Sequence, residues 1–555
     1  MPPPRDTATQ MHDAIIIGGG LAGIYALYTL RTLGLSVRVL EAGAGVGGTW
    51  YHNRYPGARC DIESLDYSYS FSEDLQQEWH WSERYASQPE ILRYINHVVD
   101  RFGLAQDIYL GTTAVSAAFD EDVSRWRVTT DNGLTFCAKY AIMATGVLSV
   151  PQIPDTPGLD TFKGPWHHSG DWPHDGVDVS GKRVGVIGTG SSGTQMIPII
   201  AEQADQLYVF QRTANFCMPA QNRPMVAEIE QQWKASYPEK RAFARASGFG
   251  HNQVTNPKSG KDVSAEERQA ELENRWQLGG LYMMRAFRDI MVDKDVNDEA
   301  SNFVRGKIRN IVQNPKTAET LSPSGLPIGT KRLCSGTGYY ETFNRPNVTL
   351  VDVVAEPIER VVPHGVRTST GDYELDVLIY ATGFDAMTGA LNRLNPSGRH
   401  GRQLRQHWAH GPRTYLGLTV AGFPNLFIIA GPGSPSVFSN MVTSIEQHVE
   451  WVANAIRYLD AHALDTIEAS PEAESEWVIH VNDLASRTLY REAKNTWFYG
   501  ANTPGKPVVF MPYVGGVGKY SSHINDLAAS GYSGFLLEAA KAAPPIDDSD
   551  TSARN

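Results

Sequence analysis

Cysteine is scarce in this chain: four residues among 555, at Cys60, Cys137, Cys217 and Cys334. No two of them form a CxxC pair, which excludes a zinc ribbon, a dithiol redox motif and a disulfide framework. A reducing, cytoplasmic setting is expected from that usage. Positive charge is also in deficit, with 49 Lys and Arg against 61 Asp and Glu and a net charge of −12. Nucleic-acid binders are normally basic, so no nucleic-acid partner is expected. Membrane-length apolar runs are missing too. Residues 14–30 carry no charge, but the run is short for a span, holds four glycines, and follows Asp6 and Asp13 rather than a basic segment. Neither a membrane span nor a targeting signal is expected. With 41% hydrophobic and 20% charged residues the composition is that of a folded chain, and its length suits about two to four domains.

Glycine, by contrast, is abundant at 51 residues. Gly18-Gly19-Gly20-Leu21-Ala22-Gly23 follows the apolar Ala14-Ile15-Ile16-Ile17 and precedes Ile24, Leu27 and Leu30 at helical spacing. That context predicts a strand, a tight turn and a helix. Gly18 permits the turn, Gly20 admits a pyrophosphate to the backbone, and Gly23 lets helix and strand pack closely. The helix N-terminus attracts the phosphates. Val37-Arg38-Val39-Leu40 reads as the next strand and ends at Glu41, whose carboxylate suits two free ribose hydroxyls and repels a 2′-phosphate. FAD or NAD is expected here.

A second unit repeats the first. Arg183-Val184-Gly185-Val186-Ile187 leads into Gly188-Thr189-Gly190-Ser191-Ser192-Gly193, with Pro198 expected to kink or shorten the helix that follows. The next strand, Leu207-Tyr208-Val209-Phe210, ends at Gln211-Arg212-Thr213. Arg212 stands where the first unit has Glu41, and a guanidinium there suits the 2′-phosphate of NADP. Two such units predict electron flow from a nicotinamide to a flavin.

A strand ending in Ala-Thr-Gly closes each unit, at residues 140–146 and 376–383. The fold class expected is α/β with two Rossmann-like dinucleotide domains. Residues 1–150 form the first part of the FAD domain. Residues 151–384 form the NADP domain, with a helical insertion over about 220–330 where Glu267, Glu271, Trp276 and Arg285 recur at helical spacing. Residues 385–540 complete a discontinuous FAD domain, and 541–555 form a tail. The first dozen residues read as a loose arm. Residues 431–436 read as a rigid loop before a helix carrying Glu446 to Trp451.

Phe162-Lys163-Gly164-Pro165-Trp166-His167-His168-Ser169-Gly170-Asp171-Trp172-Pro173 lies between the units and fits FxGxxxHxxxW. With both glycine motifs flanking it, the chain resembles the type I Baeyer–Villiger monooxygenases, closest to the phenylacetone and cyclohexanone monooxygenase group, over nearly its whole length. The resemblance implies FAD, NADPH and O2 as cofactors and reactants, and a ketone converted to an ester or lactone. It implies that NADPH reduces the flavin and that O2 adds at C4a to give a peroxyanion that attacks the ketone. His168 and Trp172 are expected to transmit movement between domains rather than touch substrate; Phe162 and Gly164 complete the motif. His167, His168 and His174 lack nearby carboxylates or cysteines, so no metal is expected.

Further roles come from the resemblance alone. Arg332 is the cation that stabilises negative oxygen, and Asp61 orients it; arginine suits this because it stays protonated and donates in a planar fork. Thr49, Trp50 and Tyr67 are flavin contacts. Lys331, with Arg212 and Thr213, binds the 2′-phosphate, and Trp497 covers the nicotinamide end. Val437, Phe438 and Met441 line the substrate pocket, and Phe438 narrows it toward slim linear or small-ring ketones. Gly336 and Gly338, just after Arg332, are expected to loosen that segment. The alternative reading is a flavin monooxygenase that oxidises an amine nitrogen or a sulfide sulfur. Oligomeric state is left open, and a monomer is compatible with the sequence.

Overall fold

Ile15, Ile16 and Ile17 are apolar on consecutive positions, so both faces of their strand must be covered, as in a parallel sheet between helices. The computed structural model describes residues 9–493 and 495–540. In it the strand Gln10–Ile17 pairs in parallel with Val37–Leu40 on one side and Thr135–Met143 on the other. Gln10 to His12, expected within the loose arm, belong to this strand, and the rest of that arm up to residue 8 lies outside the described residues. The tail at 541–555 lies outside the described residues. The helix Leu21–Thr32 buries Leu21, Ile24, Leu27 and Leu30 and packs on the long helix Met441–Ala461. The first sheet runs Ile108–Tyr109, Val37–Leu40, Gln10–Ile17, Thr135–Met143, Arg125–Thr130, Ala114–Asp120, the last two strands antiparallel. Leu426–Ile428 pairs with the C-terminal half of Thr135–Met143, so a late segment of the chain completes the first sheet.

The second sheet is wholly parallel: Val348–Asp352, Gln206–Gln211, Arg183–Ile187, Val377–Tyr380, Trp166–His168. The helix Ser191–Gln203 runs unbroken through Pro198, which corrects the expected shortening. Between its strands Gln206–Gln211 and Val348–Asp352 the chain forms the helices Ala227–Ala235, Tyr237–Ala246, Ala265–Leu278, Lys294–Ile311 and Pro315–Leu321. Ala265–Leu278 starts at a capping box in which Ser264 and Glu267 satisfy each other's backbone N–H groups. Arg285, which the spacing counted with the helical residues, lies outside the α-helices. It ends the short 3-10 turn Gly280–Arg285 and is buried.

The two units use glycine alike. Gly18 has φ +109° and Gly188 φ +112°, a region that side chains resist. A Cβ on Gly18 would meet the Ala144 carbonyl oxygen at 2.4 Å, and one on Gly188 the Ala381 oxygen at 2.4 Å. The Ala-Thr-Gly closings are thus the surfaces on which the glycine turns rest. A Cβ on Gly23 or Gly193 would lie 1.8 or 2.3 Å from the carbonyl oxygen of Gly18 or Gly188.

Candidate active site

Asp61 and Arg332 meet across the two nucleotide units. Arg332 Nε donates to Asp61 Oδ2 at 3.0 Å, and Nη2 donates to Oδ1 and Oδ2 at 2.8 and 2.7 Å. This forked pair matches the planar donor geometry of arginine. Nη1 donates to the Val437 carbonyl at 2.5 Å, which ties the pair to the loop ahead of the helix Met441–Ala461. Both side chains are 24% exposed, so the pair sits at the wall of an opening rather than in solid core. Burial pulls the Arg332 pKa down, but the Asp61 carboxylate more than offsets this and holds the guanidinium above its ordinary value.

Each partner is itself anchored. Gln195, on the helix Ser191–Gln203, accepts from the Tyr55 hydroxyl at 2.8 Å and donates to the Arg59 carbonyl at 3.1 Å, fixing the segment that carries Asp61. Asn215 donates to the Arg332 carbonyl at 2.9 Å and to Cys334 Sγ at 3.1 Å. Neither residue stood out in the sequence, because a polar side chain that holds a distant backbone atom leaves no local spacing signal. Just beyond Arg332, Cys334–Gly336 pairs in parallel with Cys217–Pro219 and is buried. Gly338, at φ +67°, starts the short helix Tyr339–Thr342. The expected loosening of this segment is corrected: paired backbone and buried side chains hold it.

Beside Asp61, Trp50 Nε1 donates to the Tyr67 hydroxyl at 3.1 Å, and the two rings meet edge to face. Thr49 opens the short helix Thr49–His52. Glu41 is only 5% exposed, and its carboxylate accepts from Gly19 N–H and Gly43 N–H at 2.6 Å each. A Cβ on Gly48 would lie 3.0 Å from the Cα of Gly20, so two glycines face each other over the turn. A backbone cradle without side chains, backed by a buried carboxylate, fits the diphosphate and ribose of FAD.

At the second turn, Gly190 caps the helix Ser191–Gln203, and a Cβ there would meet nothing within 4 Å. Thr189 Oγ1 donates to Gln211 Oε1 at 3.2 Å. Arg212 is exposed and Thr213 half-buried beside it. Burial and the nearby Arg212 charge both depress the Lys331 pKa. Among the described residues no carboxylate forms an ion pair with either cation. Two adjacent, unneutralised cations fit a 2′-phosphate dianion, and so fit NADPH.

The FxGxxxHxxxW residues do not join the Asp61–Arg332 pair. His167 and His168 lie on the edge strand Trp166–His168, and a Cβ on Gly164 would strike the Asp376 carbonyl oxygen at 2.3 Å. Phe162 packs with Phe210, Val361 and Leu378. His168 Nδ1 accepts from Gly170 N–H at 2.9 Å, and its ring meets Phe384 edge to face. Burial pushes the His168 pKa down to about 4, against the Gly383 backbone and Asp171. Trp172 is buried beside His167. Phe438 packs on Tyr490 and Phe498, ring centroids 4.9 and 4.6 Å away, with Phe510 at 6.1 Å. Trp497 stacks on Phe498 in this same aromatic cluster, and Met441 is the first residue of the long helix.

Residues 15–237 match the family described as pyridine nucleotide-disulphide oxidoreductase. A Baeyer–Villiger monooxygenase of Pseudooceanicola batsensis is 41% identical, covering 95% of this chain and 96% of its own. This chain belongs to the type I Baeyer–Villiger monooxygenases. A phenazine N-monooxygenase of Lysobacter antibioticus is 43% identical over 95% of this chain and 97% of its own. Among solved structures, an oxidised steroid monooxygenase bound to NADP is 51% identical, with a TM-score of 0.92 over 95% of this chain and 100% of its own. As a member of the family the chain is an NADPH- and FAD-dependent enzyme that inserts one oxygen of O2 beside a ketone carbonyl to give an ester or lactone. Among the described residues, no helix is long and apolar enough to cross a membrane.

Proposed function

We propose that Arg332 is the fixed cation of the oxygen-insertion step and Asp61 its positioning partner, acting on slim linear or small-ring ketones. The observation that carries this is the forked Asp61–Arg332 pair, joined to the Val437 carbonyl of the pocket loop. FAD, when bound, uses the electrons of NADPH to activate O2, so that ketone, O2, NADPH and a proton become ester, NADP+ and water. Residues 1–150 and 385–540 hold the flavin through Gly18, Gly20, Gly23, Glu41, Thr49, Trp50, Asp61 and Tyr67. Residues 151–384 hold NADPH through the turn Gly188 to Gly193, with Arg212, Thr213 and Lys331 on its 2′-phosphate and Trp497 at its nicotinamide end.

The reaction puts negative charge on oxygen while the carbonyl carbon is attacked. A permanently protonated guanidinium already fixed by Asp61 stabilises that charge without reorganising. Asp61 occupies Nε and Nη2, while Val437 takes one donor of Nη1. The second N–H of Nη1 is left for an oxyanion. Phe438, backed by Tyr490, Phe498 and Phe510, forms a stiff aromatic wall that limits the width of the ketone, and Val437 and Met441 flank it. The four cysteines are free and buried, which suits a reducing, cytoplasmic setting.

The phenazine N-monooxygenase likeness favours a second reading, oxidation of an aromatic or amine nitrogen at the same site. One experiment separates them. Purified enzyme with FAD, NADPH and O2 is given ketone, amine and sulfide panels, and products are identified. Ester or lactone as the main product supports the first reading; N-oxide without ester from any ketone overturns it. Arg332→Ala is expected to lower the ester-forming rate by about 10²-fold or more while NADPH is still consumed and peroxide released. Ester yield at the wild-type level from Arg332→Ala ends the assignment of that residue.

A further inference from the structure

Arg285 is 4% exposed and has no carboxylate partner among the described residues. Its neighbour in the chain fold, Arg275, is paired with Glu271 at 2.7 Å, so the absence is particular to Arg285. The Arg285 guanidinium carbon lies 3.1 Å from the centroid of the Phe249 ring, which covers one face. The edge of the fork is left over. Nε is buried without a partner, and Nη1 reaches only the Met284 carbonyl, at a long 3.4 Å.

Nη2 faces His251 Nε2 at 3.3 Å. His251 is 2% exposed, and its Nδ1 accepts the Gln253 N–H at 3.1 Å. Burial, Arg285 and Arg332 all drive its pKa well below the usual value, so the ring is neutral. A neutral imidazole has one acceptor nitrogen, and both the Gln253 N–H and Arg285 Nη2 approach the ring as donors, so at most one of them is satisfied, and an incoming anion would select the tautomer with Nε2–H. Gln253 leaves its own Oε1 without a donor rather than reaching Arg285. Leaving buried donors and a buried charge unmatched is destabilising, and a fold keeps such a corner where something else completes it.

The corner borders the reaction site. The Phe249 carbonyl accepts Asn440 N–H at 2.8 Å, and the Gly250 carbonyl accepts Thr443 Oγ1 at 2.8 Å, so residues 249–251 dock on the loop and helix that carry Val437, Phe438 and Met441. Tyr490, which packs on Phe438, lies close enough to Arg285 and Arg332 for both charges to act on its hydroxyl.

We propose that Arg285 and His251 Nε2–H form an anion subsite that binds the carboxylate of an oxo-acid substrate, while Arg332 serves the ketone end. A carboxylate supplies one negative charge and two coplanar acceptors, which match one guanidinium fork beside one neutral N–H donor. A phosphate dianion would over-neutralise a single cation next to an uncharged ring. The subsite rests on the Baeyer–Villiger reading of the same pocket and names its substrate class.

The test uses holoenzyme with NADPH and O2 on methyl ketones bearing a terminal carboxylate, at several chain lengths, each beside its methyl ester. Wild-type enzyme is expected to favour at least one carboxylate over its ester by about tenfold or more in kcat/KM, the range of a charge-assisted hydrogen bond. Arg285→Gln is expected to erase that ratio and Arg285→Lys to restore part of it. A ratio near one in wild type at every length, or a ratio unchanged in Arg285→Gln, overturns the subsite. A second measurement needs only wild type. A fatty carboxylate should inhibit oxidation of a neutral ketone competitively and more strongly than the matching amide, and equal inhibition overturns the proposal. Failure of the underlying reading looks different: no ester or lactone from neutral ketones either.

Discussion

Arg212 and Lys331 are two cations side by side that no acid among the described residues pairs with, and burial with the Arg212 charge depresses the Lys331 pKa. A 2′-phosphate relieves that repulsion; a 2′-hydroxyl does not. Arg212→Ala should therefore lower the ratio of kcat/KM for NADPH over NADH by roughly tenfold or more. A wild-type ratio near one would remove both residues from this role. Phe438 belongs to the same scale. Its ring is held by three aromatic neighbours, so truncation opens space that does not collapse at once. Phe438→Ala is expected to raise kcat/KM for bulky polycyclic ketones relative to linear ones, and an unchanged substrate range would count against the aromatic wall as the limit.

Among elements, the edge strand Trp166–His168 carries a histidine whose burial costs its charged form. The sign follows from the pKa values. The unfolded chain takes up a proton near pH 6.5 while the folded chain resists it until about pH 4. The contribution of neutral His168 is fully present above pH 6.5 and is lost as pH falls toward 4, on the order of 2–3 kcal/mol across that window. His168→Gln should flatten the fall of Tm between those pH values, as read by thermal unfolding; parallel curves for variant and wild type would dismiss the idea. The glycine turns and Ala-Thr-Gly closings were legible in the sequence because backbone geometry at Gly18 and Gly188 admits almost no other residue. The Asp61–Arg332 pair was legible only through resemblance, since its members are far apart in the chain. The Val437 carbonyl that receives Arg332 Nη1 has no residue signature at all. Arg285 shows the opposite failure: its spacing fitted a helix, yet it ends a 3-10 turn and is buried, and no local pattern encodes that turn.

At the scale of the molecule, Leu426–Ile428 completes the first sheet against Thr135–Met143, and the helix Met441–Ala461 covers the helix Leu21–Thr32. The core of the first nucleotide unit is therefore closed by residues that follow the second. A fragment ending at residue 384 would leave that strand edge unpaired and the helix uncovered. It is expected to be insoluble or unable to retain FAD when expressed alone, as read by soluble yield and the flavin absorbance of the purified material. A soluble yellow fragment would refute this dependence.

Asp61 is rooted in one half of this architecture and Arg332 in the other, with Gln195 clamping the seam between them. A single ion pair therefore bridges the seam. If one nucleotide unit swivels against the other, the fork must slip, and the positive charge is released or withdrawn in step. On the role proposed for Arg332, oxygen chemistry would then be available only when both halves are in register, which would tie safe handling of a reactive oxidant to the posture of the entire chain.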